Sequence, residues 1–134
     1  MRRFFHNAKP WSYLFVAWWL GSIALSSLSG KQLEQIPFEW NDKIAHFGYF
    51  GCGAWLLAPA ILTAQPTSTA VRWIAPLVIM LVSALDETYQ LVTPGRSGAD
   101  IADFVADSIG GLIGSSVSIM MHRHAKTRQR QEPD

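Results

Sequence analysis

Cys52 is the only cysteine among 134 residues. An intrachain disulfide and any multi-cysteine metal site are thereby excluded, and Cys52 reads as a small apolar residue within a helix. Charge is scarce as well. Charged residues make up 16% of the chain, and eleven Lys and Arg against ten Asp and Glu leave a formal net charge of +1. Such a balance gives no general reason to bind nucleic acid or an acidic partner. No internal repeat or low-complexity tract divides the chain, so a single domain is expected. There is no H-E-x-x-H, P-loop or nucleophile elbow either, which removes the chemistries those motifs carry.

What the sequence does have is long apolar blocks. Hydrophobic residues amount to 49% and the mean hydropathy is +0.14, values a soluble protein can share, but their distribution points to a membrane. Four spans are expected at about 11–30, 44–62, 73–92 and 100–121, giving an all-α polytopic bundle. The basic start and Ser27-Leu28-Ser29 before Gly30 imitate a signal peptide. The first block is longer than an ordinary signal core, however, and three more blocks follow, so the first helix is expected to be retained. The third block is uncharged only from Trp73 to Leu85, about 20 Å of helix against a hydrocarbon core of about 30 Å. To span, it must run on through Asp86, Glu87 and Gln90. Pro94-Gly95 then stops it, and Ser97 with Asp100 forms a capping-box pattern ahead of the fourth helix.

Orientation follows from the basic residues. With both termini cytoplasmic, the inner side holds Arg2, Arg3, Lys9, Arg72, Arg123, Lys126, Arg128 and Arg130, and the outer side only Lys31, Lys43 and Arg96. The positive-inside rule favours that arrangement, with residues 1–10 and 122–134 as basic cytoplasmic tails. The C-terminal tail lacks interleaved aromatics and reads as a topology anchor beside anionic lipid, not as a nucleic-acid site. Trp11, Trp40 and Trp73 lie at expected boundaries as interface anchors, while Trp18, Trp19 and Trp55 are mid-span. Ser26, Ser27 and Ser29 are expected to bond back to helix carbonyls.

This topology gathers the polar residues at the outer face. Asp42, Lys43 and His46 open the second span, Asp86, Glu87 and Gln90 close the third, and Asp100, Asp103 and Asp107 open the fourth. Asp42, His46 and Tyr49 share a helix face, as do Asp86 and Gln90, and Asp100, Asp103 and Asp107. Acids near a bilayer cost about 2.5–3.5 kcal/mol each at its centre, so they need a partner or a task. One shared, partly buried cavity is expected. Farther along the fourth span, Gly110 and Gly114 form a GxxxG face for packing within the chain or, secondarily, for dimerisation.

The segments DKIAHFGYF at 42–50, DETYQ at 86–90, PGR at 94–96 and DFVADSIGGLIG at 103–114 resemble the VanZ-like family of bacterial membrane proteins. The family pattern falls on Asp42, Lys43, His46, Asp86, Glu87, Gln90, Arg96, Asp103, Gly110 and Gly114. At Asp107 the family often has asparagine, so this chain adds a carboxylate there. The resemblance implies a cell-envelope protein whose founding relative is linked to glycopeptide (teicoplanin) resistance, without an established chemistry.

The residues themselves leave several chemistries open. No cofactor is required, although His46 with Asp86, Glu87, Asp103 and Asp107 suits a divalent metal such as Zn or Mn. Arg96 can grip a lipid phosphate or carboxylate, or simply neutralise Asp86, Glu87 or Asp103. His46 and Glu87 can act as an acid and base pair. The favoured function is non-enzymatic: binding of a membrane lipid or cell-wall lipid precursor at the outer face of the bacterial inner membrane, altering glycopeptide susceptibility. The alternatives are an intramembrane enzyme acting on a phospholipid or polyprenyl-phosphate, and a structural subunit or homo-oligomer that binds a membrane-protein partner.

Overall fold

The computed structural model describes residues 8–35, 42–65 and 68–131. Its elements, in order, are α1 (Ala8–Ser26), the single turn α2 (Gly30–Leu33), α3 (Asp42–Ala64), α4 (Val71–Gln90) and α5 (Ile101–Gln131). No strand occurs among the described residues. Arg2, Arg3, Trp40 and the tip of the first connector lie outside them.

Helix α3 is central, with α5 as its most extensive partner. The reason is the small-residue face. A Cβ on Gly110 would collide with the backbone of Phe47, and one on Gly114 with the backbone of Gly51, so the two helices approach to backbone contact along this seam. The glycine face is thus covered within the chain. On the other side of α3, the Trp18 ring of α1 lies against Gly53. There the Trp18 indole N–H donates to the Tyr49 carbonyl at 3.0 Å, and the Tyr49 hydroxyl donates to the Trp18 carbonyl at 2.9 Å.

Two apolar clusters fill the rest of the interior. One joins Ala58, Leu62, Val71, Ala75 and Ile119; the other joins Trp18, Phe50, Ala54 and Ile79. Pairing of 58–62 with 71–75, and of 50–54 with 79, makes α3 and α4 antiparallel and leaves the first turn of α3 beside the last turn of α4. Polar side chains are also buried, including Ser22, Ser83, Ser115, Glu87, Asp103 and Asp107, whereas Leu77, Leu81, Leu85, Ile109, Ile113 and Met120 face outward. This inverted distribution suits an apolar surrounding, since a soluble monomer seldom exposes so large an apolar belt. Among the described residues two helices, Asp42–Ala64 and Ile101–Arg128, are long and apolar enough to cross a membrane.

Several details depart from the sequence expectation. Helix α5 runs to Gln131 instead of ending near Met121, because HRHAKTRQRQ contains good helix formers and no breaker before Pro133. Its N-cap is Asp100, whose carboxylate accepts the Ala102 N–H at 2.8 Å, in place of Ser97. Trp11 is buried, with 4% of its surface exposed, and meets Trp55 edge to face at 5.6 Å, so it is a packing residue and not an interface anchor. Trp73 remains 64% exposed.

Candidate functional site

The connection from α4 to α5 sets the site. Gly95, at φ +74°, and Pro94 make a tight turn closed by the Arg96 N–H on the Thr93 carbonyl at 3.2 Å, in the arrangement a type II turn demands. The Pro94 carbonyl accepts from the Gly30 N–H at 3.1 Å, which fastens the turn to α2. Beyond it, Ala99 adopts φ +59° and its N–H donates to the Glu87 carbonyl at 3.1 Å. Glu87 also accepts the Asp100 N–H through Oε2 at 2.8 Å. Glu87 therefore ties the loop down at both its backbone and its side chain.

Two polar groups result where one was expected. The first lies between α3, α4 and α5. Lys43 Nζ reaches Asp100 at 2.9 Å and Asp103 at 2.5 Å, with Asp42 at 3.5 Å. His46 Nδ1 lies 3.0 Å from Asp107 Oδ1, and the Ser83 hydroxyl donates to Asp107 Oδ2 at 2.5 Å. His46 Nε2 stands 3.9 Å from both Asp42 and Asp103. Asp42 is 71% exposed, whereas Asp107 is fully buried. At the mouth, just before α5 begins, the Lys43 ammonium holds the Asp100 carboxyl below its ordinary range. This contact is therefore complete at neutral pH and fades only as the pH falls through that lowered value.

The second group lies between α1, α4 and the loop. Asp86 accepts the Ser26 hydroxyl at 2.5 Å and the Gln90 amide at 2.8 Å. Gln90 Oε1 in turn accepts from Arg96 Nε at 3.2 Å and Nη2 at 2.7 Å. Among the described residues, then, Arg96 rests on a neutral amide and not on Asp86, Glu87 or Asp103. Ser26 bonds across to Asp86 instead of back to its own helix, whereas Ser27 does bond back, to the Ile23 carbonyl at 2.6 Å.

A cavity of about 650 Å³ joins the two groups, with His46 and Asp42 on one side and Asp86, Gln90 and Arg96 on the other. Leu25, Leu33, Ile44 and Phe50 supply apolar wall. Asp103, Asp107 and Glu87 lie behind it, and Tyr49 lines it while bound to Trp18.

A family model described as VanZ/LLP1 matches residues 4–122. The chain belongs to the VanZ/LLP1 family. No curated protein and no solved structure matches it. Within this VanZ-family chain, the segments 42–50, 86–90, 94–96 and 103–114 meet around the cavity or along the glycine seam. Ser83, Ser22 and Ser26 are site residues that sequence reasoning missed or misassigned. Ser83 sits one helical turn before Glu87 and two before Gln90, so it shares their face, and that spacing was the available signal.

Proposed function

We propose that this VanZ-family chain is a four-span protein of the bacterial cytoplasmic membrane, with both termini cytoplasmic. Its outward cavity engages an anionic amphiphile, either a surface phospholipid or a cell-wall lipid precursor, and through it alters glycopeptide susceptibility. The observation that carries this is the cavity's composition. An apolar wall leads to Arg96, whose described partner is a neutral amide, and a guanidinium so placed can meet phosphate or carboxylate with two parallel bonds. Asp86, the acid nearest that end, is already engaged by Ser26 and Gln90.

The test is the lipid retained after gentle purification, identified by mass spectrometry. Arg96→Gln removes charge-assisted bonds of about 1.5–3 kcal/mol, so retention of the anionic lipid is expected to fall about tenfold or more. The thermal midpoint in detergent is expected to stay close to wild type, because no described carboxylate loses its partner. Undiminished retention by Arg96→Gln, or purification without any anionic lipid, sinks the proposal. An intramembrane enzyme is the second reading, favoured by His46 lining the cavity with Asp107 behind it. Turnover of the retained lipid separates that enzyme from a binder.

Topology has its own check. In a Cys52→Ser background, Gln35→Cys and Ser97→Cys are expected to react with a membrane-impermeant thiol reagent outside intact cells, and Thr127→Cys is not. Labelling at Thr127 alone reverses the orientation and turns the cavity toward the cytoplasm.

A further inference from the structure

The lipid reading uses Arg96 and the apolar wall; it leaves the deepest polar residues without a task. Among these, His46, Glu87 and Asp107 each offer a donor atom within 4.8 Å of the other two. They come from three different helices, α3, α4 and α5, so no local spacing obliges them to meet. Glu87 is only 5% exposed. Its Oε2 takes the Asp100 N–H, but its buried Oε1 has no hydrogen-bond partner among the described residues. A buried carboxylate oxygen left without a donor is unfavourable, and native structures rarely retain one without a reason.

Charge accounting leads the same way. Lys43 is committed to Asp100 and Asp103, and Arg96 to Gln90. Glu87 and Asp107 are left to share His46, which as a metal ligand is neutral. Two carboxylates with one imidazole match the charge and the donor set of a single divalent ion. We propose that His46, Glu87 and Asp107 bind one divalent cation of the zinc and manganese class at the back wall of the cavity. One nitrogen and two carboxylate oxygens suit these ions, where an all-oxygen set would suit magnesium or calcium.

The surroundings match a built metal centre. Ser83 donates to Asp107 Oδ2 and the Asp100 N–H to Glu87 Oε2, so each carboxylate is held through one oxygen, which leaves Asp107 Oδ1 beside His46 Nδ1 and Glu87 Oε1 without a described partner. His46 presents Nδ1 toward Asp107, while its other nitrogen stands 3.9 Å from the carboxylates of Asp42 and Asp103. Three protein ligands leave a coordination position open, and one of the three, His46, lines the cavity. The overlapping set Asp42, His46 and Asp103 is a poorer site, because Asp42 is largely exposed and Asp103 is held by Lys43.

Zinc and manganese binding by the full chain in detergent, after stripping with a chelator that is then removed, tests this directly. Wild type is expected to bind one Zn²⁺ per chain in competition with a chromophoric chelator. Glu87→Gln can still accept the Asp100 N–H, and it is expected to weaken binding at least about tenfold. His124→Ala is expected to leave binding unchanged, which separates this centre from the basic tail, and the dependence on Glu87 separates it from the exposed set, which lacks that residue. Manganese bound to wild type is expected to show coupling to one imidazole nitrogen by pulsed electron paramagnetic resonance. That readout requires no variant to fold. Equal zinc binding by wild type and Glu87→Gln, no binding by wild type, or no nitrogen coupling overturns the proposal. Arg96→Gln is expected to bind zinc normally, so loss of the lipid and loss of the metal are distinguishable failures.

Discussion

Gly114→Leu is expected to lower stability by about 3 kcal/mol or more, the upper part of the usual range for overpacking a closed interface. Even a Cβ at Gly114 would overlap the carbonyl of Gly51, a backbone group that cannot rotate aside. Helices α3 and α5 would have to separate. His46 immediately precedes Phe47, and Asp107 lies one turn before Gly110, so the same separation would pull His46 from Asp107 and disturb the site along with the fold. Thermal unfolding in one detergent measures the effect, with Gly48→Ala as the control. Gly48 has nothing within 4 Å of an added Cβ, and replacing an exposed helical glycine by alanine should stabilise by about 0.5–1 kcal/mol. If Gly114→Leu and Gly48→Ala unfold alike, the seam is not where the two helices meet.

Asp107→Ala should have a comparable effect through polarity instead of volume. Asp107 has no solvent exposure; in the metal-free protein its Oδ1 lies 3.0 Å from His46 Nδ1 and its Oδ2 accepts the Ser83 hydroxyl. Removing it strands both partners in the interior, a change expected to destabilise by about 3–5 kcal/mol, as loss of one member of a buried charged pair commonly does. Ser83→Ala removes one donor while leaving the His46 contact, and its loss should be smaller, about 1–3 kcal/mol. The double variant Ser83→Ala with Asp107→Ala should lose less than the sum of the singles, because the two share one hydrogen bond. Strict additivity in unfolding measurements would mean that the Ser83 and Asp107 contact contributes nothing. Asp107→Asn keeps the shape and one acceptor, and should retain more stability than Asp107→Ala while removing the negative charge.

The local order of the chain fixed the helices. Apolar runs bounded by Pro94-Gly95, by the polar connector and by AQPTSTAVR are local signals, and a helix closes its own backbone bonds, so each element formed close to where those signals stood. The exceptions are equally physical: nothing in HRHAKTRQRQ stops a helix, and Asp100 caps α5 because the Ala99 turn delivers its carboxylate to the Ala102 N–H. Periodicity also identified the polar faces of α3 and α5. Only tertiary structure decided which face met which. Asp86 and Glu87 are neighbours in sequence but about 100° apart around a helix, so Asp86 turned to Ser26 of α1 while Glu87 turned toward Asp100, His46 and Asp107. Likewise, Arg96 took Gln90 in place of a carboxylate because the turn set its guanidinium beside that amide, and Trp11 became core because α1 laid it on Trp55. Side-chain spacing reports angle around one helix axis. It does not report the rotation of one helix against another, which here is set by two glycines pressed against the backbone of α3.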